Sequence, residues 1–203
     1  MPQPKIFYRK KLPHIQTEEE TFFITYRLVN SIPVTKLKEL EELFIIRQKN
    51  VKTNKEKYNE HKRHFGLTDD YLDKSPNEPH WLKEDAIASI VAESLHFCNQ
   101  KFYKLWCYCI MPNHVHLVIT TLKNAPPLYT IMQKHKRHTA TTCNKALKRS
   151  GQFWTHESYD HIIRNEEEFN RIVWYVINNP VKAGFVKIWQ DWKWTFSSEE
   201  PGF

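Results

Sequence analysis

The chain has 203 residues, 40% of them hydrophobic and 26% charged, with only 4 glycines. That is the profile of a globular chain with its own core, not of a disordered or collagen-like one. No apolar run approaches the ~20 residues of a membrane helix, and the opening MPQPKIFYRKKLPH lacks the apolar stretch of a secretory signal, so neither a membrane partner nor export is expected. The net charge of +7, with 7 Trp, 9 Tyr and 12 Phe, fits nucleic acid as a partner, though a basic protein with a Trp-rich core has the same composition. Four cysteines (Cys98, Cys107, Cys109, Cys143) make no secreted disulfide framework and point to a reducing, cytoplasmic setting.

Residues 21–29, TFFITYRLV, read as a strand. Residues 34–48 read as a helix, with Leu37, Leu40, Leu43, Phe44 and Ile46 at helical spacing. Residues 50–80 are polar, mixed in charge and weakly periodic, an insertion of part helix and part loop. Residues 83–100 predict a helix with Ile87, Ile90, Val91, Leu95 and Phe97 as its stripe. KLWCYCI (104–110), the turn Met111-Pro112-Asn113 and residues 114–121 predict an antiparallel hairpin. After Pro126-Pro127 a helix spans about 128–149, its inner face supplied by Leu128, Ile131, Met132, Thr139, Thr142, Cys143, Ala146 and Leu147, with Gly151 ending it. Residues 158–164 can form another strand. Asn165 then caps a helix, with Glu168 as its capping-box partner and Glu166 and Glu167 at the positive end of the dipole. It runs to about Asn179, where Pro180 stops it. With the insertion removed, the first six elements spell βαββαβ: an α+β, ferredoxin-like antiparallel sheet with helices on one face. One further C-terminal helix is left to cover the other.

In MPNHVHLVIT (111–120), His114 and His116 share one face of the second hairpin strand, while Val115, Leu117 and Ile119 share the other. Two imidazoles so placed can hold a metal ion or a phosphate, or simply line a solvated face. Cys107 and Cys109 on the partner strand raise a zinc-stabilised interaction domain as an alternative, if the turn brings their thiols to the histidine face. In the last helix Tyr175 and Asn179 are four residues apart and stack off the centre of the apolar stripe Phe169, Ile172, Val173, Val176 and Ile177. Asn179 offers an amide oxygen to a hard cation, and Tyr175 a phenol that activation makes nucleophilic.

MPNHVHLVI, then FWTHESYDHIIRNEEEF, then YVINNPVKAGFV resembles the single-tyrosine HUH transposases, and most the REP-associated tyrosine transposase branch. The resemblance covers about residues 84–198, with the terminal WKWTFSS, and the strand near 21–29. It implies one HUH transposase-like domain over 1–203, on a ferredoxin-like sheet with the tyrosine on the additional C-terminal helix. The insertion at about 35–82 is longer than the plain family core and has no role in this reading. By the resemblance, His114 and His116 are the HUH pair, Tyr175 the nucleophile and Asn179 the residue completing the site of a divalent metal, Mg²⁺ or Mn²⁺. The implied activity is cutting and joining of single-stranded DNA near imperfect hairpins through a 5′-phosphotyrosine link, as monomer or homodimer. A non-catalytic DNA-hairpin binder is the alternative.

For the DNA, residues 134–149 hold six Lys or Arg and no acid. Lys134, Arg137, Lys145, Lys148 and Arg149 are the expected phosphate-tracking residues beside the cutting site. Arg9, Lys10 and Lys11 make a second patch on a flexible arm. Trp154, Trp192 and Trp194 are candidates for stacking on bases or, more simply, for core packing. His161 is expected to be structural, and Asp160 has no assigned role.

Overall fold

In the computed structural model, which describes residues 6–9, 13–16, 19–75 and 79–198, β1 (Ile6–Arg9) pairs antiparallel with β2 (Pro13–Gln16) in place of a flexible arm. Arg9 ends β1; Lys10 and Lys11 lie outside the described residues. Then follow β3 (Thr21–Arg27), α1 (Val34–Lys49), α2 (Asn54–Lys74), α3 (Asp85–Cys98), β4 (Tyr103–Ile110), β5 (His114–Thr121), α4 (Leu128–Ala146), β6 (Tyr159–Ile162), α5 (Glu166–Ile177), the short α6 (Asn179–Lys182) and β7 (Thr195–Ser197). The main sheet runs β6-β3-β5-β4-β7 with every neighbour antiparallel. Without α1 and α2, the elements from β3 to β6 are βαββαβ with the fourth strand beside the first, the expected ferredoxin-like arrangement. β7, three residues in length, adds a fifth strand that the sequence pattern did not signal.

Alternation divides the sheet into two layers. Val115, Leu117 and Ile119 join Phe22, Ile24 and Tyr26 under α3 and α4. Phe23, Val118, Cys107 and Cys109 face the other way, against Ile172, Val173, Val176 and Ile177 of α5. A register shift between Leu105 and Cys107 reverses the inward face of β4, which is why both thiols reach the histidine side. Each buried aliphatic on α5 contributes about 1.5–3 kcal/mol of transfer free energy, enough to fix the helix that carries Tyr175. The second sheet face is therefore covered by α5, as expected, and also by α2.

Several predicted faces shift. Phe97, Leu43 and Ile46 are exposed rather than inward. Along α1 only Leu40 is buried, because its packing partner is α2 rather than the sheet. Thr142 and Ala146 also turn outward, and the helix stops at Ala146, three residues early. His135 takes an inner position instead, bonded to the Tyr26 hydroxyl (2.8 Å) and Ser94 Oγ (2.9 Å). The tyrosine helix ends at Ile177, with Asn178 as its cap, so Asn179 and Pro180 open α6 instead of closing α5.

The Asn165 cap is present: its Oδ1 accepts from the Glu168 N–H at 2.8 Å. The Glu168 carboxylate, however, reaches back one residue further than expected, to the Arg164 N–H (3.1 Å). Its other oxygen accepts from Lys62 and Tyr58 of α2, each at 3.1 Å, and lies 3.1 Å from His161 Nε2. Glu168 thereby clasps α2 to β6 and α5, and His161 has the structural role expected of it. Burial works against its charge, but the Arg164 N–H, Lys62 and His161 hold its carboxyl down at about 2. A depressed carboxylate stabilises the fold above its unfolded pKa and loses that contribution as pH falls toward its folded one. Glu168→Gln should therefore cost about 1–3 kcal/mol at pH 7 in denaturant unfolding. The gap between variant and wild type should shrink below about pH 4.5, where the unfolded carboxyl begins to protonate.

Candidate metal and tyrosine site

β5 lies between β3 and β4, so both imidazoles enter the site from the rigid centre of the sheet, and neither is exposed to solvent. Asn113 sets the state of the first. Its Nδ2 donates to the Leu72 carbonyl of α2 (3.0 Å), which leaves its Oδ1 to accept from His114 Nδ1 (2.6 Å). The proton of His114 is thus on Nδ1, and Nε2 carries a bare lone pair. His116 Nδ1 meets Thr25 Oγ1, its cross-strand neighbour, at 2.7 Å. The two Nε2 atoms converge to 2.9 Å. Burial pushes both histidines down to about 3, helped at His114 by its neighbour His116, so at neutral pH they are uncharged and fit to be ligands.

The third side of the site comes from α2. Asp69 and Asp73, one turn apart on α2, face the histidines. Asp69 Oδ1 lies 3.3 Å from His116 Nε2 and 3.8 Å from His114 Nε2, and Asp73 Oδ1 lies 3.7 Å from His114 Nε2. Neither Oδ1 has a hydrogen-bond partner, nor does the buried Asn179 Oδ1. Asn179 Nδ2 stands 3.2 Å from His116 Nε2, and a half-turn of the amide brings its oxygen to the same point. Among the described residues Asp69, His114 and His116 form a group whose ligand atoms lie within 4.8 Å of one another. Orphaned buried oxygens facing imidazole nitrogens are costly by themselves and suit a divalent cation. Burial and the nearby Asp69 charge push Asp73 up to about 7, a further sign of missing positive charge.

Tyr175 donates its hydroxyl proton to Asp69 Oδ2, and its ring centroid is 5.7 Å from that of His116 in the same chain. Burial and the Asp69 charge hold this phenol far above its ordinary range, so it is protonated at rest. Lys182 of α6 closes the outer side, with Nζ 2.6 Å from Asp70 Oδ1, 3.1 Å from Asp73 Oδ2 and 3.8 Å from Asp69 Oδ2.

The structure therefore gathers His114, His116, Tyr175 and Asn179 as the sequence suggests. It does not place the basic cluster beside them. Lys134, Arg137, Lys145 and Lys148 are exposed on or just past α4, across the sheet from the histidines. Arg149 is half-buried, stacked 3.9 Å over the Trp81 ring and bonded to Asn144 and the Gln152 carbonyl. Trp154 is a core residue whose indole donates to Thr139 Oγ1 (2.9 Å). The Trp192 and Trp194 indoles donate to the Ile110 carbonyl and Asp85, at 3.0 and 2.9 Å. Cys107 and Cys109 do share the histidine face, yet neither belongs to the ligand group. Burial holds both thiols protonated, Cys109 at about 12, and the Cys109 thiol donates to Met111 Sδ (3.5 Å).

Sequence reasoning passed over Asp69, Asp73, Lys182, Thr25 and the second function of Asn113. The signal for α2 was there: Thr53 and Glu56 form a full capping box that starts a 21-residue helix. Nothing local marked its aspartates as facing inward.

Residues 78–179 match the family model described as "Transposase IS200 like". Over 107 residues the chain is 24% identical to a putative REP-associated tyrosine transposase of Haemophilus influenzae, a match covering 48% of this chain and 61% of that protein. Over 90 residues it is 27% identical to the REP-associated tyrosine transposase of Escherichia coli, covering 44% of this chain and 52% of that one. The chain thus spans about half to three-fifths of the length of these relatives. A solved structure of a REP-associated tyrosine transposase bound to a REP hairpin aligns with a TM-score of 0.49 at 17% identity, over 93% of this chain and 80% of that one. With half of its length matched by the family model, the chain belongs to the IS200-like transposase family.

Proposed function

We propose that this chain is a metal-dependent endonuclease and strand transferase for single-stranded DNA, acting near DNA hairpins through a 5′-phosphotyrosine intermediate. One observation carries the reading: a single buried carboxylate, Asp69, accepts the hydrogen bond of the Tyr175 hydroxyl with one oxygen and faces the Nε2 atoms of both histidines with the other. A structural tyrosine has no need of that arrangement. A divalent cation held by His114, His116 and Asp69, with the Asn179 amide, would polarise the scissile phosphate and offset its charge. Two imidazoles with oxygen donors suit Mn²⁺, and Mg²⁺ with more water.

The chain's own residues do the rest. Asn113 and Thr25 fix the imidazoles, so the donor set is prepared before substrate arrives. Asp69 Oδ2 aims the phenol and receives its proton as the Tyr175 oxygen bonds to phosphorus. The bond from phosphorus to the 3′ oxygen breaks, and that oxygen takes a proton from water. The phosphotyrosine retains the bond energy, so a 3′ hydroxyl can reverse the step and join strands. Tyr175 stands against its own chain's histidines, so one copy completes the site. The exposed face of α4, with Lys134, Arg137, Lys145 and Lys148, is the surface for the hairpin's phosphates, reached around the β6 edge of the sheet.

The test is covalent trapping on a denaturing gel, with labelled hairpin DNA from the flanks of the gene and Mn²⁺ or Mg²⁺. Wild type should give a metal-dependent shifted band, absent in Tyr175→Phe and in the double variant His114→Ala/His116→Ala. Binding without an adduct would favour the non-catalytic hairpin binder. Mn²⁺ should also raise the melting temperature of wild type but not of Asp69→Ala. Asn113→Ala should weaken Mn²⁺ affinity by roughly 10–100-fold, the usual effect of removing a ligand's supporting hydrogen bond.

A further inference from the structure

Lys182 stands at the mouth of the site. Its side chain is 39% exposed, whereas those of Asp69 and Asp73 are 0% and 2% exposed. Its ammonium lies 5.5 Å from the Tyr175 ring centroid. Three carboxylates of one α2 segment converge on it, and two of them have other work: Asp69 on Tyr175 and the histidines, Asp73 beside His114. Asp70 has none of these contacts. It is 50% exposed, yet it makes the shortest contact to Lys182.

The reacting phosphate must come within bonding reach of the Tyr175 hydroxyl and beside the histidine nitrogens. The carboxylates of α2 occupy that approach in the DNA-free protein. A carboxylate oxygen and a non-bridging phosphate oxygen carry similar charge and accept the same hydrogen bonds. We propose that Lys182 anchors the scissile phosphate, and that Asp70 holds the ammonium in place until a phosphate oxygen displaces it. This rests on the reading of the site as a DNA-cleaving one. An ammonium whose partner is half-exposed exchanges partners readily, because the freed carboxylate is rehydrated at once. Lys182 is thus a catalytic residue that touches substrate, and Asp70 its stand-in ligand.

Binding without cleavage tests this: a labelled hairpin with single-stranded flanks, in EDTA, titrated across a range of salt. Lys182→Ala should flatten the slope of log K against log salt by about 0.7–0.9, the loss of one phosphate contact. Lys182→Arg should keep the slope. Asp70→Asn should tighten binding in wild type and tighten it less in the Lys182→Ala background. A salt bridge that only holds α6 to α2 would lower the melting temperature and leave the slope unchanged; that result overturns the assignment. Equal gains from Asp70→Asn in both backgrounds overturn the exchange. A wild type that binds but never cleaves in Mn²⁺ overturns the proposed function instead, and one that binds no hairpin overturns both.

Discussion

An orphaned carboxylate oxygen set against two imidazoles in a dry interior conflicts with the need of every buried polar atom for a partner. The site contains this conflict: His114 Nε2 and His116 Nε2 at 2.9 Å, with Asp69 Oδ1 beside them. Asn113 holds the His114 proton on the far nitrogen, so His114 Nε2 stays open as an acceptor. The fold sustains the arrangement because β5 is hydrogen-bonded on both sides and packed on its other face by the main core. Such a concentration of unmatched polar atoms is expensive to bury and would favour a bound divalent cation.

The two layers divide the labour. On one face of the sheet, α3 and α4 supply apolar contact that fixes the strands. On the other, the buried aliphatic cover comes mainly from α5, and further cover comes from α2, where only Asp69 and Leu72 are buried in the helix. α2 is held mainly by polar and aromatic contacts: the Glu168 clasp, the Asp–Lys182 cluster and Phe65 stacked 4.1 Å from Tyr159. Contacts of this kind lose less on opening than buried aliphatics, since water replaces much of them. The face that carries the histidines and Tyr175 is thus the less tightly sealed of the two, as the proposed admission of a DNA strand requires.

Period-2 alternation in HVHLVIT placed both histidines on one face, because a strand leaves no other geometry. The order βαββαβ emerged once the insertion was set aside, and the cap at Asn165 followed from its spacing to Glu168. What stayed hidden depends on long-range placement. The bulge beside Leu105 changes which face the cysteines occupy, and no local pattern announces it. Apolar periodicity in α1 suggested a core helix, but Leu43 and Ile46 lie on a helix that packs on another insertion helix and not on the sheet. Charge density in α4 suggested proximity to the chemistry, whereas the sheet separates the two. Asp69 sat in a run of mixed charge where the ordinary reading of an aspartate is a solvated one; only the fold sets it against His116.

The α2 helix changes the electrostatics of the site beyond supplying one more oxygen. An amide such as Asn179 brings a dipole and no charge, so a site of two histidines and an amide leaves a bound dication's charge intact for the phosphate. Asp69 and Asp73 offset much of that charge and so favour retention of the metal over polarisation of substrate. Lys182 restores part of the balance from outside. Three carboxyl groups to one ammonium leave the cluster short of positive charge, and the raised Asp73 carboxyl is the sign of it. In the proposed exchange at Lys182, one carboxylate leaves as one phosphodiester charge enters. That exchange would conserve the charge of the site, which is how a helix bearing three aspartates could sit over a centre that takes an anionic substrate.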